Sequence, residues 1–290
     1  MKILITGSQG QLGTEWMEYL KTTSHNVRGL GSADLDITRR DDVHKIVADE
    51  QPDLLVNCAA FTAVDKAEVK ENEAYMVNEI GVQNLARACN RNDVKLLHYS
   101  TDYVFEGSPA DQERLPDGYD EEYPPNPQNV YGKSKRGGEV AIENVCDDWI
   151  IIRVSWLCGQ YGNNFVKTML RLSKERKTLD VVNDQTGSPT FCFDVVEKSM
   201  KLAGQDQRGY FHISSSGTTT WFDITRQLLQ LNGSKTALNS VSSAQFNAKA
   251  KRPAFSLLNT GKIESLSLEP VHWKDGLETL YHQLSNSNHL

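Results

Sequence analysis

Tyr131 and Lys135 stand four residues apart in the run Val130-Tyr131-Gly132-Lys133-Ser134-Lys135. On a helix that spacing puts both side chains on one face, one turn apart. A phenol is a poor acid at neutral pH, with an ordinary pKa of roughly 10, and an ammonium beside it favours the phenolate. The pair is therefore expected to lower the Tyr131 pKa and let it exchange a proton with a substrate oxygen. The same spacing also occurs in helices that do no chemistry. Two further stretches favour chemistry here. Ser100-Thr101-Asp102 closes the apolar run from Val94 to Tyr99 and offers a hydroxyl that could orient a carbonyl. The bland alternative is a Ser/Thr turn that ends the strand. Gly7, Gly10 and Gly13 follow the apolar run Lys2-Ile3-Leu4-Ile5-Thr6 and precede a helix-forming stretch. Strand, glycine turn and helix together place backbone N–H groups where a pyrophosphate can sit. The spacing is Gly-x-x-Gly-x-x-Gly, not the Gly-x-Gly-x-x-Gly of ordinary dehydrogenases.

The elements that must hold these residues alternate along the first half of the chain. Strands are expected at Lys2 to Thr6, His25 to Leu30, Asp53 to Cys58, Val94 to Tyr99 and, as a sixth, Trp149 to Val154, with a short third one before Asp36. Helices are expected from Thr14, near Thr38, from Val64, from Ala74 to Asn90 and from Tyr131 to Asn144. This alternation predicts an α/β, Rossmann-type doubly wound parallel sheet. Where an acid would bind the ribose 2′-hydroxyl of NAD, the chain has Gly31 and Ser32, with Arg28, Arg39 and Arg40 nearby in sequence. That leaves room for a 2′-phosphate and points to NADPH, while Asp34 and Asp36 keep NADH open. Asp36 and Ile37 are placed at the adenine, with Asp36 as a helix cap the alternative. Ala59 and Ala60, small residues at a strand's carboxyl end, let a cofactor approach the backbone. The irregular stretch from Phe105 to Asn129 is expected to border the site.

After Trp156 the texture changes. A polar, aromatic loop at residues 159–165, an amphipathic helix from Phe165, a strand near Val181 and helices from Trp221 and Trp273 predict a smaller C-terminal α/β substrate-binding domain. Residues 1–155 form the dinucleotide-binding domain and 156–290 mostly the second, with a segment near 181–200 expected to return to the first. The tail from Ser285 to Leu290 is expected to fray.

At 290 residues, 39% hydrophobic and 24% charged, the chain is of ordinary globular composition. Its net charge of −7 gives no basic footprint, which argues against nucleic acid. No apolar stretch approaches a membrane span. Five scattered cysteines without a Cys-x-x-Cys pair read as free thiols in a cytoplasmic protein.

Several longer blocks carry a resemblance. They are Gly7-x-x-Gly10-Gln11-Leu12-Gly13, Val64-Asp65-Lys66-Ala67-Glu68, Ser100-Thr101-Asp102-Tyr103-Val104-Phe105, Tyr131-Gly132-x-Ser134-Lys135, Asn183-Asp184-Gln185 and Ser216-Gly217-Thr218-Thr219-Thr220-Trp221. With them the chain resembles the extended short-chain dehydrogenase/reductases, and among these the dTDP-4-dehydrorhamnose reductase family. The resemblance implies that Tyr131 protonates the C4 oxygen of a dTDP-linked 4-keto-6-deoxy sugar. It implies that Lys135 holds the nicotinamide ribose and that Thr101 hydrogen-bonds the same oxygen. Asp102, Tyr103 and Trp156 would shape the sugar pocket, and Asn163 and Arg252 would meet the nucleotide diphosphate. For Arg252 the alternative is a surface ion pair. Gln11 and Leu12 join the glycines at the cofactor. Some members are dimers bridged by magnesium through glutamates. A homodimer is thus possible here, but only Glu15 has a counterpart, so no metal is expected. Two other readings share the same residues: a nucleotide-sugar epimerase that retains NAD, and a non-catalytic subunit like the β subunit of methionine adenosyltransferase.

Overall fold

In the computed structural model, residues 1–246 and 248–287 are described. Six parallel strands form the central sheet: β1 (Lys2–Thr6), β2 (Asn26–Leu30), β3 (Leu54–Asn57), β4 (Lys95–Thr101), β5 (Trp149–Val154) and, much later, β10 (Gly209–His212). Their order is β10-β5-β4-β3-β1-β2. Near-continuous burial along β1, β3, β4 and β5 follows from helices on both faces, which leave no side for polar residues. Between the central strands and β10 lie β6 (Leu157–Cys158), β7 (Thr178–Val182), β8 (Thr186–Gly187) and β9 (Thr190–Phe191), with β11 (Thr219–Thr220) and β12 (Ala237–Val241) after it.

The expected short third strand is absent among the described residues. Residues 31–39 form turns instead, which makes Trp149–Val154 the fifth strand and not the sixth. The order in which the chain adds strands reverses between β1 and β3, where ligands of open α/β sheets bind.

The helices of the first half are α1 (Gln11–Leu20), α2 (Arg40–Glu50), α3 (Val64–Ala67), α4 (Glu71–Tyr75), α5 (Val82–Arg91), α6 (Asp111–Arg114) and α7 (Val130–Val145). Those of the second are α8 (Phe165–Glu175), α9 (Cys192–Gly204), α10 (Trp221–Leu231), α11 (Ser243–Phe246), α12 (Gly261–Glu264) and α13 (Trp273–Asn286). On one sheet face, Leu12, Trp16 and Leu20 of α1 recur every four residues and pack with Val195, Val196 and Leu202 of α9. On the other, Val43 and Val47 of α2 meet Leu85 and Ala88 of α5 and Ile142 of α7. A third apolar cluster joins α8, α10 and α13 beneath the β7–β12 pair. Of the stretch near 181–200, the strand half pairs with β12, and the helical half packs on α1.

The helix expected from Ala74 is interrupted by a π-helical segment, Met76–Gly81. There Asn78, fully buried, ties the Phe61 backbone to Ser134 of α7. Such insertions cluster at functional sites. Asp36 does not cap α2. Its carboxylate accepts from the Thr38 N–H and hydroxyl, and α2 starts after Arg39. The expected frayed tail is helical through Asn286, and its last three residues, 288–290, lie outside the described residues. Among the described residues no helix is long and apolar enough to cross a membrane. The cysteines are free thiols.

Candidate active site

The glycine turn fits a dinucleotide. Gly7 has φ +67°, and a Cβ there would lie 2.6 Å from the Ala59 nitrogen. A Cβ on Gly13 would strike the Gly7 carbonyl at 2.2 Å. Both positions accept only glycine, and they hold α1 close against the sheet at the β1–β3 reversal. No side chain caps α1 and its first turn has no acid, so the first N–H groups, at Gln11, Leu12 and Gly13, are open to an anion. The Leu12 side chain belongs to the core, so only its backbone is on offer. Gln11 turns its amide to the Leu157 carbonyl and Asn164, joining the turn to the loop before α8.

At the end of β2 the sequence reading needs correction. Arg28 pairs with Glu50, which also binds Lys2 at the amino-terminal edge of the sheet, away from the turn. It is not available to a 2′-phosphate. Arg39 is exposed and bound to Asp42 at 2.8 Å. Gln9 lies over Gly31, where a Cβ would meet its side chain at 2.5 Å. Asp36 is exposed beyond this point, but the Ile37 side chain is buried in the core, leaving only its backbone for a ligand.

Behind the turn, β4 delivers Thr101 beside the first turn of α7. Asn129 caps α7 by accepting from the Gly132 N–H. A Cβ on Gly132 would meet the Tyr103 carbonyl at 2.2 Å, so the helix start sits directly on the strand end. Thr101 Oγ1 sits beside the Tyr131 hydroxyl, donates to Asp102 Oδ1 at 2.9 Å and accepts from the Tyr103 N–H at 3.2 Å. The Tyr103 ring meets Tyr131 edge-on, with centroids 5.4 Å apart. Lys135 is buried and donates to the Tyr99 carbonyl at 2.6 Å, with His98 Nε2 at 3.2 Å.

The electrostatics differ from the expected ones. Burial raises the Tyr131 phenol well above its ordinary pKa; the Thr101 hydrogen bond opposes this and the Asp102 charge adds to it. Lys135, engaged with Tyr99 and His98, does not lower it here. Burial in turn pulls Lys135 down to about 8, against Glu139 and Cys58. Asp102 is pushed up to about 7 by burial, despite the Thr101 hydrogen bond, and its Oδ2 has no partner.

Next to Tyr103 opens a cavity of about 590 Å³, in the size range of small-molecule sites. Its walls include Trp156, Phe165, Trp221, Gln185 and Arg252. Trp156 has φ +48°, strained for a tryptophan, and stacks on Trp221 with centroids 4.0 Å apart. Trp221 in turn donates from its ring nitrogen to Gln185 at 3.1 Å. Arg252 forms a forked pair with Asp65, at 2.6 and 3.2 Å, the ion pair given as its alternative, and it also lines the cavity. Asn163 is exposed and outside the cavity wall. Its neighbour Asn164 makes the hydrogen bonds, capping α8 and binding Gln11. The body of the 105–129 loop turns away from the cavity and packs Phe105 and Tyr119 against Phe255; only its last residues reach the site, through Asn129 and the Lys251 carbonyl.

Sequence reasoning assigned no role to Trp221, Gln185, Asp65 or His98. The first three lie in blocks that carried the resemblance. For His98, a polar residue inside an otherwise apolar strand was the signal.

A parallel doubly wound sheet with a glycine turn at its reversal, and a Tyr/Lys helix facing a strand-end threonine, defines an extended short-chain dehydrogenase/reductase. The family model described as RmlD substrate binding domain matches residues 1–286, and the chain belongs to that family. It is 37% identical to the spore coat polysaccharide biosynthesis protein SpsK of Bacillus subtilis, over 99% of both chains. It is 36% identical to a dTDP-4-keto-6-deoxy-D-glucose reductase of Streptomyces niveus, over 94% of both. Among solved structures, a dTDP-4-dehydrorhamnose reductase from Bacillus anthracis in complex with NADP superposes with a TM-score of 0.93 at 38% identity, covering 98% of this chain and 100% of that one.

Proposed function

We propose that the protein reduces the C4 keto group of dTDP-4-dehydro-L-rhamnose (dTDP-6-deoxy-L-lyxo-4-hexulose) to dTDP-L-rhamnose, with NADPH as reductant and NADH as a possible substitute. The observation that carries this reading is the convergence of Tyr131, Thr101 and Lys135 beside a glycine turn and an aromatic cavity. In it, residues 1–155 carry the dinucleotide and 156–290 most of the nucleotide sugar. The nicotinamide supplies the hydride when bound. Gly7, Gly10 and Gly13, the first N–H groups of α1, Ala59, Ala60 and Asp36 are the groups that would hold the dinucleotide.

Tyr131 keeps its proton at neutral pH because burial disfavours the phenolate. That makes it the acid: its O–H bond breaks as a new one forms on the C4 oxygen. Thr101 can turn its hydroxyl from Asp102 to the same oxygen. The phenolate left behind needs a cation, and Lys135, buried one helical turn away on the same face of α7, can supply it. Tyr131 regains its proton from solvent. Arg252 and Lys251, which line the cavity, suit a diphosphate, and the Trp156–Trp221 stack suits a base or sugar face.

The test is the fall in NADPH absorbance with the keto sugar nucleotide. Tyr131→Phe should lose about 10²–10⁴-fold in kcat while still binding NADPH. A variant within a few fold of the parent would remove the proton-transfer role. A second reading keeps the chemistry and changes the sugar to dTDP-4-keto-6-deoxy-D-glucose, as named for the Streptomyces niveus relative. Running both sugars in the same assay separates the two. A stoichiometric loss of NADPH separates either from an epimerase.

A further inference from the structure

Thr6, Asn57, His98 and Lys135 form a buried chain behind the site, and its proton positions can be assigned. Asn57 Oδ1 accepts from the Ala59 backbone N–H at 3.0 Å and from Thr6 Oγ1 at 2.7 Å. A backbone N–H can only donate, so this end of the amide is the oxygen. The other end, Nδ2, faces His98 Nδ1 at 2.9 Å. His98 Nδ1 is therefore an acceptor without a proton, and the neutral ring carries its proton on Nε2. Nε2 lies 3.2 Å from Lys135 Nζ. An ammonium there would set N–H against N–H. A neutral amine can accept from Nε2 with its lone pair and still donate to the Tyr99 carbonyl at 2.6 Å.

We infer that His98 is a positioning residue that holds Lys135 toward its neutral amine form in the cofactor-free enzyme, so that binding the nicotinamide cofactor is coupled to uptake of a proton at Lys135 Nζ. This rests on the cofactor reading above. The proton comes from solvent and forms one new N–H bond. His98 Nε2–H then repels the ammonium away from β4 and toward the cleft.

The surroundings agree. His98 and Lys135 are both almost wholly buried. Burial, the larger cause, holds His98 well below its ordinary pKa, which keeps the ring neutral. Around Lys135, α7 contributes Tyr131 and Glu139, but Glu139 is already bound by Arg153 through two bonds of 2.9 Å and by Arg136. The end of β3 contributes Cys58, whose thiol burial keeps protonated. From β4 come only His98 and the Tyr99 carbonyl. Among the described residues, the one carboxylate that acts on Lys135, Glu139, is thus already paired.

The experiment is calorimetric titration of the full chain with NADPH, whose reduced ring is uncharged, in buffers of different ionisation enthalpy. At pH 8.5, above the lowered Lys135 pKa of about 8, uptake should exceed about half a proton per NADPH. At pH 6.5 it should fall below about 0.2, because Lys135 is then already charged. The 2′-phosphate, with a second pKa of about 6, is fully ionised at pH 8.5. Asn57→Asp places an acceptor oxygen against His98, draws its proton to Nδ1 and frees Nε2 to accept from the ammonium. That variant should bind NADPH with no uptake at pH 8.5. Uptake below about 0.1 in the parent, or unchanged uptake in Asn57→Asp, overturns the coupling. Nitrogen-15 spectra of histidine in the free parent protein give an independent reading. Protonated Nε2 with bare Nδ1 is expected for His98, and the opposite tautomer overturns the assignment even if the variant fails to fold. Absence of NADPH binding at any pH would overturn the cofactor reading itself.

Discussion

Asp102 shows how one buried carboxyl constrains the residues around it. It is 3% exposed, shares Oδ1 with Thr101 and leaves Oδ2 without a partner. Ionising it inside the protein is harder than in the unfolded chain, where a carboxyl titrates near 3.8. A folded-state pKa raised to about 7 means the native state binds the extra proton between those values. This residue's contribution to stability is therefore intact below about pH 4 and is lost as pH rises through about 7, by up to about 4 kcal/mol. Asp102→Asn carries no charge at any pH and keeps an oxygen for Thr101. Its melting temperature should match the parent's near pH 3.5 and exceed it by several degrees at pH 8.5, read by thermal denaturation at each pH. A difference that does not change with pH would show that Asp102 titrates normally.

Among the elements, the start of α7 carries the most consequence, because Tyr131 rides on it. Gly132 touches the Tyr103 carbonyl so closely that a Cβ would sit 2.2 Å away, and neither backbone can yield cheaply. Gly132→Ala should cost about 1–3 kcal/mol of stability by overpacking. It should also lower kcat by about 10²-fold by displacing Tyr131, with NADPH affinity nearly unchanged. Denaturant melts and single-turnover rates check this; an active, stable variant would show that the helix start is not pinned. Tyr131, Lys135, Thr101 and the glycine turn were legible in the sequence because local spacing on a helix or a strand end determines them. What was not legible depends on distant partners. Nothing near Asp36 distinguishes a strand from a turn until β2 proves to be the sheet edge. The π-helical segment exists so that Asn78 can reach Phe61 and Ser134, both far away in sequence. The raised Tyr131 pKa was missed because sequence spacing puts Lys135 beside the phenol, whereas burial and the Tyr99 carbonyl decide where its ammonium goes.

At the scale of the whole molecule, the cavity draws its walls from both halves of the chain. Tyr103 and Trp156 follow the ends of β4 and β5, and Trp156 also packs, with Phe165 and Trp221, on the cluster of α8, α10 and α13. A nucleotide bound there would tie the α8–α10 cluster to the strand ends. Free dTDP at 100 times its Kd should then stabilise the fold by about 2.7 kcal/mol, seen as a rise in melting temperature of several degrees. Trp221 is the piece that transmits this. It backs the strained Trp156 ring and holds Gln185. Trp221→Ala removes one stacked aromatic pair, worth about 0.5–1.5 kcal/mol beyond simple burial. The expected result is a KM for the sugar nucleotide raised roughly 3–10-fold with kcat within a few fold, because ground state and transition state lose the same contact. The dTDP-induced rise in melting temperature should shrink in step, while the rise induced by NADPH stays at the parent value. If kcat falls instead and KM holds, Trp221 acts on the reacting sugar through Trp156 and not on the nucleotide.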